Sequence, residues 1–331
     1  TMCFEDGGAL TNGQYLNGAV PPENCGVVRR CLIDERYVYA HIVITYALHP
    51  KLRVRYADRV FILDRKTGVI LLSDTFQGER AIRFATHLHC SGSVTEVGDR
   101  QYRFTGGQAN LIAGIKGGGK GLDDAEHGEI FVRVFDSSPS RRVTMQEPTW
   151  VPGYIYGLNH TGREDVSEGR FPRYRRWRLE ACGPVTQGSF LVALSAQSGQ
   201  AEYVDGTVRL EGKGRIGFGP GSFVALGVEC DCECLLWDEG TGRLMAIGLR
   251  RLCHDTRKLT FGIPVDVAYS AWEGSGTLYA QGAHTPKTVS GFRLQPWVPI
   301  GEERWKTLNT ICAVFIQSQI DTTAMEVGHE G

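Results

Sequence analysis

Short apolar runs broken by glycine-containing turns recur along the chain. Arg59-Val60-Phe61-Ile62-Leu63 and Val69-Ile70-Leu71-Leu72 flank Asp64-Arg65-Lys66-Thr67-Gly68. This predicts a hairpin over 54–74, because a five-residue connection ending in glycine closes readily through a left-handed residue. The same device returns where Cys234-Leu235-Leu236-Trp237 leads through Asp238-Glu239-Gly240-Thr241-Gly242 into Leu244-Met245-Ala246-Ile247. The two turns read as convergent turn chemistry rather than a repeat. Further strands are expected at Tyr37–Tyr46, Glu129–Phe135, Ser189–Leu194, Thr207–Glu211 and Leu259–Ile263. Spacings of about 8–12 residues with turn signals between them mark a sandwich or barrel. No window of about 11–18 residues sustains a helical period. The pattern therefore predicts an all-β protein: a large antiparallel β-sandwich, supersandwich-like, with no long helix.

At 331 residues the chain exceeds the roughly 250–300 at which one core stops growing. One oversized sandwich and two β units both remain open. Glycines and a proline cluster from Gly212 to Gly221. They set the expected division: a main sandwich over 1–213, a second small β unit or continuation over 214–316, and a polar tail over 317–331 expected to fray.

Charge changes the picture by exclusion. There are 36 basic and 37 acidic residues, so no overall field favours nucleic acid. No run reaches the ~18–20 apolar residues of a membrane span, and no basic-then-apolar leader opens the chain. Thr1 is not an initiator, so the chain reads as a fragment, a processed product or a partial sequence. The ten cysteines follow no framework and read as buried thiols, with disulfides among Cys3, Cys25 and Cys31 as the alternative. Asn159-His160-Thr161 is a lone glycosylation sequon.

Several segments carry candidate chemistry. Gly114–Lys120 has phosphate-loop spacing, but Gly121 stands where the Mg²⁺-binding hydroxyl belongs, so a glycine-rich surface loop is the better reading. His87-Leu88-His89 with Asp74 one strand back could bind Zn²⁺; the bland alternative is two strand histidines. Cys230, Cys232 and Cys234 alternate along one strand, and lacking the usual C-x₂-C spacing they read as buried thiols. Arg170–Arg178 interleaves Arg173, Arg175 and Arg176 with Tyr174 and Trp177. Guanidinium forks bind carboxylate or sulfate and flat aromatics stack on sugars, so an acidic glycan suits this segment as well as a plain exposed strand does. His41, Tyr46 and His49 lie close in sequence and are suitable types for β-elimination. There a base takes the proton α to a carboxylate and an acid protonates the leaving oxygen.

Taken together, several segments resemble the C-terminal part of the heparinase II/III-like polysaccharide lyases. They are Thr1-Met2-Cys3-Phe4-Glu5-Asp6-Gly7, Thr45-Tyr46-Ala47, Arg59–Arg65, Ile70–Asp74 and Phe84–His89, within residues 1–200. The resemblance implies a sandwich joined to an upstream α-helical toroid and cleavage of a uronate-containing glycan by β-elimination with Tyr and His. It also implies Zn²⁺ held by His and Asp. Tyr46 would be the family-like tyrosine, with His41 and His49 as further catalytic candidates. Asp74, His87 and His89 would hold the metal; apart from the resemblance, the residues themselves make Arg173, Arg175, Arg176 and Trp177 the candidate glycan contacts. Ile42-Val43-Ile44 departs from the acidic residue such lyases often carry there. With the toroid and a His-Asn pair outside this chain, the chain alone is expected to be inactive, and secreted or periplasmic. The competing hypothesis is a non-catalytic glycan-binding or structural sandwich that self-associates as a homo-oligomer.

Overall fold

The computed structural model describes residues 2–6, 9–11, 26–90, 93–105, 129–135, 141–149, 174–255, 257–280, 288–289 and 292–296. Among them the chain is all strand and turn; the only helical pieces are two short 3₁₀ turns, Thr45–Ala47 and Pro50–Leu52. The first strands are β1 (Met2–Asp6), β2 (Ala9–Thr11), β3 (Val27–Ile33), β4 (Tyr37–Val43), β5 (Val54–Asp64), β6 (Ile70–Ile82) and β7 (Phe84–Cys90). There follow β8 (Val94–Gly98), β9 (Gln101–Thr105), β10 (Glu129–Val134), β11 (Arg141–Thr149), β12 (Tyr174–Ala181) and β13 (Val185–Ser195). The remainder are β14 (Ala201–Val204), β15 (Thr207–Leu210), β16 (Gly214–Ala225), β17 (Val228–Asp238), β18 (Arg243–His254), β19 (Arg257–Ser270), β20 (Ser275–Ala280), β21 (Thr288–Val289) and β22 (Phe292–Pro296).

Two compact units divide the chain. The first comprises 1–29, 41–62 and 69–199; the second comprises 30–40, 63–68 and 200–331. The expected boundary at 213/214 does not coincide with this division. The glycine cluster that suggested it forms the β15–β16 turn and much of β16. Gly214 is there because Arg36 and Tyr37 approach closely: a Cβ would lie 2.3 Å from a guanidinium nitrogen and 2.7 Å from the Tyr37 hydroxyl. The expected frayed tail, 317–331, lies outside the described residues, as do the Gly114–Lys120 loop and the Asn159 sequon.

The first unit is a sandwich. A five-stranded sheet, ordered β11-β12-β7-β1-β2, packs on strands ordered β5-β6-β13-β10-β9-β8. Inward positions of both sheets supply one core. Phe4, Phe84, Trp177 and Leu179 come from one side and Phe76, Tyr102, Phe104, Val132 and Phe190 from the other. Alternation along each strand puts these apolar side chains inside. Their rings stack tightly, Phe84 on Phe190 with centroids 4.6 Å apart and Phe76 on Phe84 at 4.4 Å. β6 and β7 follow each other in sequence but lie in different sheets, so the chain changes layer at Arg83 instead of turning a hairpin.

The second unit is built on a nine-stranded sheet, ordered β14-β15-β16-β17-β18-β19-β20-β22-β21 and antiparallel except for β20–β22. Its register shifts on four neighbouring strands: between Phe218 and Gly221, Asp231 and Cys234, and Ala246 and Leu249, with a further shift where Leu249 and Arg251 pair with β19. Bulges bend a strand and raise its twist. Aligned across four strands, they double the sheet over. His254 pairs with Arg257 at one end of β19, yet its Nδ1 lies 2.8 Å from the hydroxyl of Tyr269 at the other end. A straight strand of 14 residues would separate those ends by roughly 45 Å. Val228, Cys230 and Leu252 from one half thus share a core with Leu235, Trp237, Leu244, Val267 and Tyr269 from the other. At the bend Arg30 binds Glu233 (Nη1 to Oε2, 2.5 Å) and lies near Asp266 (3.7 Å), while the Gly248 N–H donates to Asp266 Oδ1 at 2.7 Å.

Candidate functional site

In the first unit, β4 and β5 bring three polar side chains together on one face. His41 on β4 is buried, 6% exposed, with its Nε2 bonded to Asp58 Oδ2. The Tyr56 hydroxyl donates to the same oxygen. Asp58 is itself buried, so one carboxylate orients a buried imidazole and a half-buried phenol. The 3₁₀ turn after β4 is pinned beside them. Ile44 N–H donates to the Ala57 carbonyl at 2.8 Å, and the Thr45 hydroxyl bridges Ala57 by accepting from its N–H (2.8 Å) and donating to its carbonyl (3.1 Å). Ala57 stands between Tyr56 and Asp58. Tyr46 therefore projects from a fixed turn, 55% exposed. His49 caps the second 3₁₀ turn, its Nδ1 accepting from Lys51 N–H at 3.2 Å.

The expected metal set is not assembled. Asp74 is buried inside the sandwich with both oxygens engaged: Arg59 grips it bidentately at 2.6 and 2.7 Å, and the Thr86 hydroxyl donates to Oδ2. Thr86 faces inward from β7, so His87, one residue on, stands on the opposite face of that strand. The cross-strand partner of His87 is Arg178, a cation. The sequence placed Asp74 across a hairpin from the histidines, whereas β6 and β7 lie in separate layers. The His89 side chain falls outside the described residues, and among those residues no three His, Cys, Asp or Glu side chains group as metal ligands.

The expected glycan ladder on β12 also divides. Trp177 is fully buried, edge-on to Phe104 with ring centroids 5.9 Å apart, and offers no face to a sugar. Arg178 points the other way and pairs with Glu180 at 2.8 Å. Arg173 and the side chains of Arg175 and Arg176 lie outside the described residues. The cysteine alternation divides as well. The bulge after Cys232 leaves Cys230 and Cys232 in the core and removes Cys234 from that cluster. All three are buried free thiols, and Cys31 is free too.

Sequence reasoning missed Arg36. It lies in the turn between β3 and β4, and in the second unit it joins three other turns. Its Nε and Nη2 bind Asp64 at 3.0 Å each, its Nη1 reaches Asp238 at 2.9 Å and the Gly212 carbonyl at 2.9 Å, and its Nη2 also reaches the Glu211 carbonyl at 3.2 Å. A guanidinium has five N–H donors, and all five find acceptors. Asp64 and Asp238 are the first residues of the two turns that looked alike in sequence. Each also accepts from its own turn, Lys66 N–H on Asp64 Oδ1 at 3.1 Å and Gly240 N–H on Asp238 Oδ1 at 2.8 Å. Burial acts to raise the Asp238 pKa, but the hydrogen bonds from Arg36 and Gly240 and the charges of Arg36 and Lys66 outweigh it, holding the carboxyl below its ordinary range.

A cleft of about 390 Å³ opens among these turns. Asp34, Arg65, Lys66, Thr241 and Arg243 stand around it, with Leu244 and Met245 among its apolar lining. Arg243 is held by Glu35 at 2.7 Å and Asp34 at 3.4 Å.

No family model matches the chain, and no curated protein matches its sequence. Among solved structures, heparan sulfate lyase HepC from Pedobacter heparinus is 9% identical with a TM-score of 0.37. A mutant of the same enzyme is 10% identical with a TM-score of 0.35. In both cases the alignment covers 72% of this chain and 28% of the other, so this chain spans well under half of the length of either.

Proposed function

We propose that this chain is the β-sandwich portion of a polysaccharide lyase that cleaves a uronate-containing glycan by β-elimination, with Tyr46 as the group that meets the glycan. The observation that carries the proposal is an exposed phenol on a pinned turn that directly follows the strand carrying a carboxylate-held imidazole. β-Elimination needs one group to remove the proton α to the carboxylate and one to protonate the leaving oxygen. Tyr46 is reachable by a polymer. His41 is reachable only if the surface around it opens, and Asp58 holds its ring in one orientation meanwhile. The rest of the catalytic set would come from an upstream helical toroid, and the protein would work outside the cytoplasm. His49, engaged in capping, has the smaller part. No step is assigned to Zn²⁺.

The burial of His41 favours a second reading, a non-catalytic glycan-binding or self-associating sandwich. The assay that separates the two uses the full precursor protein on alginate, heparin, hyaluronan and chondroitin, following absorbance of the unsaturated uronate. Tyr46→Phe should lower kcat about 10²–10⁴-fold with an unchanged unfolding midpoint. Absence of product on every glycan, or full activity in Tyr46→Phe, sinks the lyase proposal.

A further inference from the structure

The turn-lined cleft of the second unit carries a feature that the Arg36 junction does not use. Arg65 and Lys66 are exposed at its rim, and their heads reach only backbone carbonyls: Asp34 O at 3.2 Å and Gly212 O at 3.2 Å. Neither is paired with a carboxylate among the described residues, whereas Arg36 and Arg243 both are. Beside the cleft stands Trp272, 65% exposed. Its indole lies against Gly242, so close that a Cβ there would sit 2.5 Å from the ring. Gly242 is flanked by Thr241 and Arg243, which both line the cleft. The turn carrying Trp272 is bonded to the Asp238 turn, Ala271 N–H donating to the Gly242 carbonyl at 2.8 Å. One indole face therefore rests on backbone and the ring remains largely open to solvent, against the turn whose Thr241 and Arg243 line the cleft.

We propose that this cleft binds an acidic oligosaccharide. Arg65 and Lys66 take its carboxylate or sulfate, Trp272 stacks on a sugar face, and Thr241 supplies a hydroxyl. A guanidinium and an ammonium suit an oxyanion, and a flat exposed aromatic suits the apolar face of a pyranose. The volume falls within the range of small-ligand sites. The site belongs to the second unit and Tyr46 to the first, and it does not depend on the lyase proposal.

The test is calorimetric titration of the full chain with chondroitin and alginate tetrasaccharides, and with cellotetraose as the uncharged probe. Wild type should bind an acidic probe, more weakly at high salt because exposed charges are screened, and should bind cellotetraose far less. Trp272→Ala should weaken binding roughly tenfold, about one stacking contact. Arg65→Ala with Lys66→Ala should weaken it and flatten the salt dependence. Trp272→Phe, which keeps a ring, should retain most of the affinity and guards against loss through misfolding. Lack of binding to either acidic probe, equal binding of cellotetraose, or undiminished binding by the Trp272→Ala and double variants overturns the proposal. Saccharide binding without lyase activity in the precursor would retire the lyase proposal and keep this site; lyase activity without binding here would do the reverse.

Discussion

Arg36 and Asp238, from turns in distant parts of the chain, form a buried ion pair at 2.9 Å. The same guanidinium holds Asp64 with two further bonds, so one side chain fastens the connections of two hairpins. Removing one member of a buried pair leaves an uncompensated charge, at a cost of about 3–5 kcal/mol. Arg36→Met strands two buried carboxylates and should reach the upper part of that range in urea unfolding. Arg36→Lys should recover little, because an ammonium lacks the planar fork that reaches both carboxylates. A loss below about 1 kcal/mol in Arg36→Met would show that the junction is not a stability determinant.

The same pair makes a pH prediction. The Asp238 carboxyl is held below its ordinary value of 3.8 in the folded protein, so the folded state favours the ionised form. Its contribution is complete above the unfolded pKa and is lost as pH falls through the folded value. The stability gap between wild type and Asp238→Asn should be flat from about pH 5 to 8 and narrow below about pH 4. Unfolding midpoints across that series measure it; a gap that widens on acidification contradicts the assignment.

Two glycines that end equivalent turns should respond differently to alanine. Gly68 and Gly242 have φ of +74° and +70°, and each N–H closes its turn onto the carbonyl of the leading aspartate. Alanine at either pays the left-handed penalty of about 1–2 kcal/mol. Around Gly68 nothing lies within 4 Å, whereas at Gly242 the new methyl would strike the Trp272 ring. Gly242→Ala should therefore lower the melting temperature more than Gly68→Ala and also alter tryptophan fluorescence. Equal losses with unchanged fluorescence would mean that the indole does not rest on this turn.

Cysteine reactivity should follow burial. Burial first, then the neighbouring Cys253 and Glu229, push the Cys230 thiol up to about 12, and Cys232 and Cys234 are raised further. At pH 8 a thiol of pKa near 12 is ionised at about one part in ten thousand. Cys182 is exposed. Brief alkylation of the native protein followed by peptide mapping should label Cys182 and spare the three β17 thiols until denaturant is added. Rapid native labelling of Cys230 would contradict its place in the core.

Much of the local structure was legible from residues 54–74 and 234–247 alone. Alternating or continuous apolar runs bounded by an aspartate and a glycine specify strand, turn and strand, since both periodicity and turn closure are short-range properties. Trp177 shows where that logic was available and went unused. Period two already sets it on the face of β12 opposite Arg178, and the structure buries it. The Asp74–His87 pairing failed because nothing local tells a hairpin from a change of layer at Arg83.

By itself, then, the sequence determined the strands and their turns among the described residues, because those depend on neighbours along the chain. Only the tertiary structure decided that four aligned bulges double a nine-stranded sheet until His254 meets Tyr269. Only it decided that Arg36 gathers the Asp64 and Asp238 turns, and that His41 is buried against Asp58. Bulges are mismatches between strands, and ion pairs join residues far apart in the chain. Neither leaves a local pattern, and both are settled by which charges and apolar faces the packed chain must satisfy together.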